Sequence, residues 1–225
     1  MRDSFGGATP RRGFLGRAAG ALAAVAGLTA ARPESVAARQ QHEHDRWLER
    51  MTGKHRQLFD FNTAGDGIGL IRMRNFIDGY QSAYGAKPDE INAVGTFYSG
   101  TTPLAWNDSV WAKHGVGAAL DLLDPRTRNP ITRNWYAAPR EGDPVLQNGA
   151  MTEASITRLV ADGATFLLCR NALERWSARL AGRGGDAAAV RREILANLLP
   201  GVVLVPAMVI AVDKAQRAGI SYMRV

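Results

Sequence analysis

The chain holds one cysteine, Cys169, where the apolar run "ATFLLC" gives way to the helix-patterned "RNALERW". A thiolate is the species that attacks electrophiles and that carries a sulfane sulfur as a persulfide. At a helix start, unpaired backbone N–H groups and the positive end of the dipole favour an anion, which lowers a thiol's pKa. Arg170 adds positive charge to that first turn if its side chain folds back, and Asn171 follows it. The opposing property is equally physical: free cysteine is among the most buried residue types and packs like a small hydrophobe. Residue type and spacing leave both roles open. A single cysteine forms no intramolecular disulfide, so in an oxidising compartment a leftover thiol is either reactive or paired with another molecule.

Three other stretches carry candidate chemistry. In "NTAGDGIG", Gly65, Asp66 and Gly67 form a possible anion or ligand loop ahead of a helix N-terminus. The spacing is not G-x-G-x-x-G, and no acidic residue closes the next strand to hold a ribose, so no nucleotide cofactor is expected. The alternative is a flexible turn with Asp66 capping the helix. "HEHD", His42 to Asp45, has metal-capable atoms but no scaffold to fix four ligands; His55 and His114 are isolated, and no metal site is expected. The aromatic residues Tyr98, Trp106, Trp111, Trp135 and Tyr136 suit a pocket wall, a subunit interface or burial against their own domain. No Ser-His-Asp order, nucleophile elbow or carboxylate pair stands out, and Asp121 and Asp124 read as solvated surface.

The elements that position these residues follow from periodicity. Lys54–Phe61 reads as a strand. Apolar residues at Leu70, Met73, Ile77, Tyr80 and Tyr84 then mark one face of a helix that Pro88 ends. Ile91–Ser99 is a second strand. Residues 100 to 150, rich in proline and tryptophan, form a long irregular insertion with a helix from Asp108 toward Leu123. A helix over Met151–Gly163, the strand "ATFLLC", a helix carrying Leu173, Trp176 and Leu180, and one capped by Asp186 come next. "GVVLVP", a helix to Ala218 and the strand "ISYMRV" complete the chain. Strands alternating with helices predict a flavodoxin-like α/β fold: a doubly wound, mainly parallel five-stranded sheet with helices on both faces. Near-continuous apolar character marks "TFLL" and "VVLV" as central strands. Ligands in such sheets bind at the strands' carboxyl ends, where Cys169 stands.

The N-terminal stretch "TPRRGFLGRAAGALAAVAGLTAARPESVAA" sets Arg11 and Arg12 before Phe14 and Leu15, then a weakly apolar run from Ala18 to Ala31. That run is too short and too rich in alanine and glycine to span a bilayer. With small residues near Ala37 and Ala38, it resembles a twin-arginine (Tat) export signal. Residues 1–38 are thus read as a signal, 39–53 as a polar linker or short helix, and 54–225 as one domain. The implied location is periplasmic or extracytoplasmic, with the Tat translocon as a transient partner. Net charge is +7, but five of 28 basic and two of 21 acidic residues lie within 1–38, leaving 23 and 19, or +4. No basic run interleaves with aromatics, so nucleic acid is not an expected partner. No later segment reaches membrane-spanning length.

The segment "LLPGVVLVPAMVIAVDKAQRAGISYMRV" resembles the closing part of the DsrE/DsrF-like sulfur-relay family. The resemblance rests on Leu199-Pro200-Gly201, Pro206-Ala207-Met208, Ala215-Gln216 and Gly219, with "FLLCRNAL" as its strand-cysteine-helix segment. It covers residues 151–225 well and 54–99 loosely. It implies a flavodoxin-like fold, homo-oligomerisation, and Cys169 as a sulfur-carrying thiol serving a thiol-bearing donor or acceptor protein, as a sulfurtransferase or sulfur carrier. Some family members lack the cysteine, which leaves a second expectation: a non-catalytic oligomeric module that recognises a small ligand or a protein partner.

Overall fold

Apolar side chains on both sides of a strand demand cover on both faces of the sheet. The computed structural model describes residues 36–64, 67–140, 143 and 152–225, with side chains from residue 43 onward. In chain order it runs α1 (Val36–Glu49), β1 (His55–Asp60), α2 (Ile68–Tyr84) and β2 (Ile91–Phe97). A 3-10 segment (Ser99–Ala105) leads to α3 (Asp108–His114), α4 (Val116–Ala119), α5 (Ile156–Ala161) and β3 (Thr165–Cys169). Then follow α6 (Arg170–Ala181), α7 (Ala187–Ala196), β4 (Val202–Val205), α8 (Met208–Arg217) and β5 (Ser221–Arg224).

The strands make one parallel sheet in the order β4-β3-β2-β1-β5. This is the expected doubly wound α/β architecture. Strands β1 to β4 step one way across the sheet, and β5 returns to the far side of β1. Right-handed crossovers therefore put α8 on the face opposite α6.

Alternation along each strand divides the interior into two cores. Phe59, Phe97, Phe166 and Leu168 join Leu70 and Met73 of α2 and Leu173 and Trp176 of α6 in the larger one. The rings of Phe97 and Phe166 stack there, with centroids 4.9 Å apart. Leu58, Val94, Leu167, Cys169 and Val205 belong to the smaller core, with Trp47, Met51 and Met208, Ala211 and Ala215 of α8.

The stretch read as polar linker or short helix is the helix α1. Its polar composition hides Trp47, which with Met51 four residues on is buried against the smaller core. Asp45 adds an ion pair with Lys214 of α8. The apolar strand β4, expected to be central, lies at an edge of the sheet and is only partly buried. Its uniform apolar character reflects cover on both faces rather than strands on both sides. The helix expected from Asp108 to Leu123 is broken at Gly115, whose left-handed backbone (φ 59°) ends α3 and starts α4.

Within the insertion, Asn134 is fully buried and fastens the chain. Its amide donates to the carbonyls of Leu104 (2.9 Å) and Trp106 (2.8 Å), and its backbone N–H donates to Asp108 Oδ1 at 3.0 Å. Residues 141–142 and 144–151 lie outside the described residues, as do 1–35, which include most of the proposed export signal. Among the described residues no helix is long and apolar enough to cross a membrane. On the outer surface, Val209 and Ile210 of α8 are 79% and 47% exposed, and the edge strand β5 exposes Tyr222 and Met223.

Candidate functional site

Cys169 ends β3, lies in register with Val205 of β4 and occupies the N-cap of α6. From here β3 exits to one face and β4 to the other, so the two strand ends flank the crevice where doubly wound folds bind ligands. The thiol does not open into it. Cys169 is 5% exposed, sits within the apolar smaller core, and makes no side-chain cap bond to the α6 amides. Arg170 is half-buried with its Nε lacking a hydrogen-bond partner, Asn171 is exposed, and among the described residues neither bonds the sulfur.

On the same face, across β2, β1 and β5, stands a polar cluster that sequence reasoning missed. Asp60, 8% exposed at the end of β1, accepts hydrogen bonds from Thr96 Oγ1 (3.2 Å) and from the Tyr222 hydroxyl (2.6 Å). Arg224 lies opposite Asp60 in the β5 register. Burial first, and the Asp60 carboxylate second, push the Tyr98 phenol up to about 12. The Asp60 hydrogen bond is the leading cause raising Tyr222. Both phenols therefore stay protonated at neutral pH and act as donors, not bases. The cluster ties β5 to β1 and β2.

Open space at this edge lies along α6, lined mainly from the side of the larger core. A cavity of about 450 Å³ is bounded by Ser99 and Gly100 where β2 exits, by Ala119 and Leu120 at the end of α4, and by Ala172, Arg175, Trp176 and Arg179 of α6. Trp176 Nε1 donates to the Ser99 carbonyl at 2.7 Å, and Thr102 Oγ1 donates to the same oxygen at 3.0 Å. That pair holds Ser99 in the left-handed region (φ 52°), an unusual conformation for a residue other than glycine. The Arg179 guanidinium lies 4.8 Å over the Trp176 ring, and its Nη2 donates to the Ala119 carbonyl at 2.8 Å. Arg175 is exposed and has no hydrogen-bond or ion-pair partner among the described residues.

The remaining candidates fall elsewhere. Gly65 and Asp66 lie outside the described residues; Gly67 heads α2 without a side-chain cap bond. A Cβ on Gly69 would sit 2.7 Å from the Phe61 ring, so that glycine serves close helix-to-strand packing. Trp106, Trp111, Trp135 and Tyr136 are buried in the larger core. Trp111 Nε1 donates to the Pro103 carbonyl (2.8 Å), and Trp106 meets Trp176 edge-on at 5.9 Å. Tyr98 alone of the five packs against the smaller core. His55 stacks on Tyr80, His114 pairs with Glu193, and Asp45 is held by Lys214.

Comparison with known proteins finds no family model, no curated protein and no solved structure that matches this chain.

Proposed function

We propose that this chain is an exported, DsrE-like binding module that takes a small ligand at the carboxyl edge of its sheet, with Cys169 serving as a packing residue. The observation that carries this reading is a separation. The thiol is 5% exposed within hydrocarbon, whereas the open cavity at the same edge is lined by other residues. Homo-oligomerisation fits the exposed Val209 and Ile210 on α8 and the uncovered edge strand β5. The test is thiol reactivity in the folded chain. Iodoacetamide at neutral pH should alkylate Cys169 only as fast as the protein unfolds, and rapid labelling in native buffer rejects the packing role.

A second reading, the sulfur relay, draws support from the position of Cys169 at the N-cap of α6 beside the β3–β4 crevice. In it the thiolate attacks the outer sulfur of a donor persulfide, the new S–S bond forms on Cys169, and the donor leaves as a thiolate. Intact-mass measurement after incubation with a persulfide donor decides between the two. A gain of one sulfur, absent from Cys169→Ala, establishes the relay; an unchanged mass leaves the binding module.

A further inference from the structure

We propose that the cavity along α6 is a site for a small organic anion with an apolar body, held by Arg175 and Arg179; this rests on the binding-module reading above. Residues 175 and 179 stand one helical turn apart on one face of α6, so both guanidinium groups reach the same opening. Arg179 is already oriented by the Trp176 ring and the Ala119 carbonyl, which occupies only part of its five-donor fork. Arg175 is unpaired among the described residues, and the adjacent carboxylate, Glu174, is committed to Arg191 at 2.5 Å. Among the described residues no acidic side chain lines the cavity, so its positive charge is left for a ligand to neutralise. Ala119, Leu120 and Ala172 supply an apolar wall, and about 450 Å³ falls within the range of small-molecule sites.

The larger cavity at the amino ends of β2 and β3, about 770 Å³, makes the contrast. Its Arg74 and Arg158 both bond Asp162, at 2.9 and 3.1 Å, and Asp78, Asp89 and Glu153 line it as well, so its guanidinium charge is already outweighed by carboxylates.

Fluorine NMR titration of the purified chain tests the assignment, with para-trifluoromethylbenzoate as the anion and para-trifluoromethylbenzamide as its neutral match. Benzoate binding is expected to saturate, to weaken with added salt, and to exceed benzamide binding about tenfold, the size of one charge-assisted hydrogen bond. Arg175→Gln, at an exposed position that preserves the fold, should lower benzoate affinity about tenfold and leave the amide unchanged. Gly100→Leu should abolish benzoate binding, because a Cβ there meets nothing within 4 Å and the side chain enters open space. Equal binding of both probes, lost in Gly100→Leu, overturns the anion assignment and leaves the pocket as the binding site. Benzoate binding indifferent to Gly100→Leu, or none that saturates, overturns both.

Discussion

Two places at one edge of the sheet, about two helical turns apart along α6 and its N-cap, behave in opposite ways. Around Cys169 the strand ends close beneath α1 and α8, and a group with reactive potential is packed among Leu167, Val205 and Met208. Around Trp176 the same helix turns its next polar residues outward, and two arginines stand over a cavity with no counter-charge among the described residues. The difference teaches that position at the carboxyl edge of a doubly wound sheet is not enough to make a site. Which face the side chain takes, and what covers that face, decides whether the residue meets solvent.

Substitutions can break or sharpen this contrast. The largest effect belongs to Cys169→Asp, which puts an unpaired carboxylate into the smaller core. It should cost roughly 4 kcal/mol in a urea melt, while Arg175→Asp stays within about 0.5 kcal/mol of the parent. Equal costs would mean that the thiol's surroundings are not dry. Next comes Asn134→Ala, in the proline- and tryptophan-rich insertion. It strips the donors from the Leu104 and Trp106 carbonyls and should cost about 3 kcal/mol by the same measurement. Cys169→Ala should be milder, about 1 kcal/mol, the loss of one small apolar group. A gentler test uses pH. The folded-state Tyr98 phenol is raised above its ordinary value of 10.0 to about 12, so the folded chain holds that proton longer than the unfolded one. Its stabilising contribution is complete below pH 10 and is lost as pH climbs through 12. Thermal melts across that window should show the decline, and Tyr98→Phe should flatten it.

Much of the fold was legible because its signals are local. The five strands and the helices α2, α6, α7 and α8 follow from apolar spacing, and Asp186 caps α7 through Ala189 as its type suggests. The location of Cys169 at a strand end was legible too, but its burial was not, since the core around it is completed in part by Trp47 and Met51, from a stretch whose composition reads as polar. The aromatic insertion pointed three ways because tryptophan suits core, interface and pocket alike. Arg175 and Arg179 gave no signal: on a helix whose apolar face is Leu173 and Trp176, they look like ordinary surface until α4 and the 3-10 segment are brought alongside. Asp60 and Tyr222 escaped for a similar reason, their hydrogen bond joining residues 162 apart.

That separation sets an order of events. A contact spanning 162 residues carries one of the largest loop-closure penalties in the chain, so the β1–β5 seam is expected to close after the strands from β1 to β4 have assembled. A border added late and exposed on every residue is also the cheapest part to peel away, and amide exchange should be fastest along Ser221–Arg224. Each such opening removes the Tyr222 donor from Asp60 and briefly hands a buried carboxylate back to water.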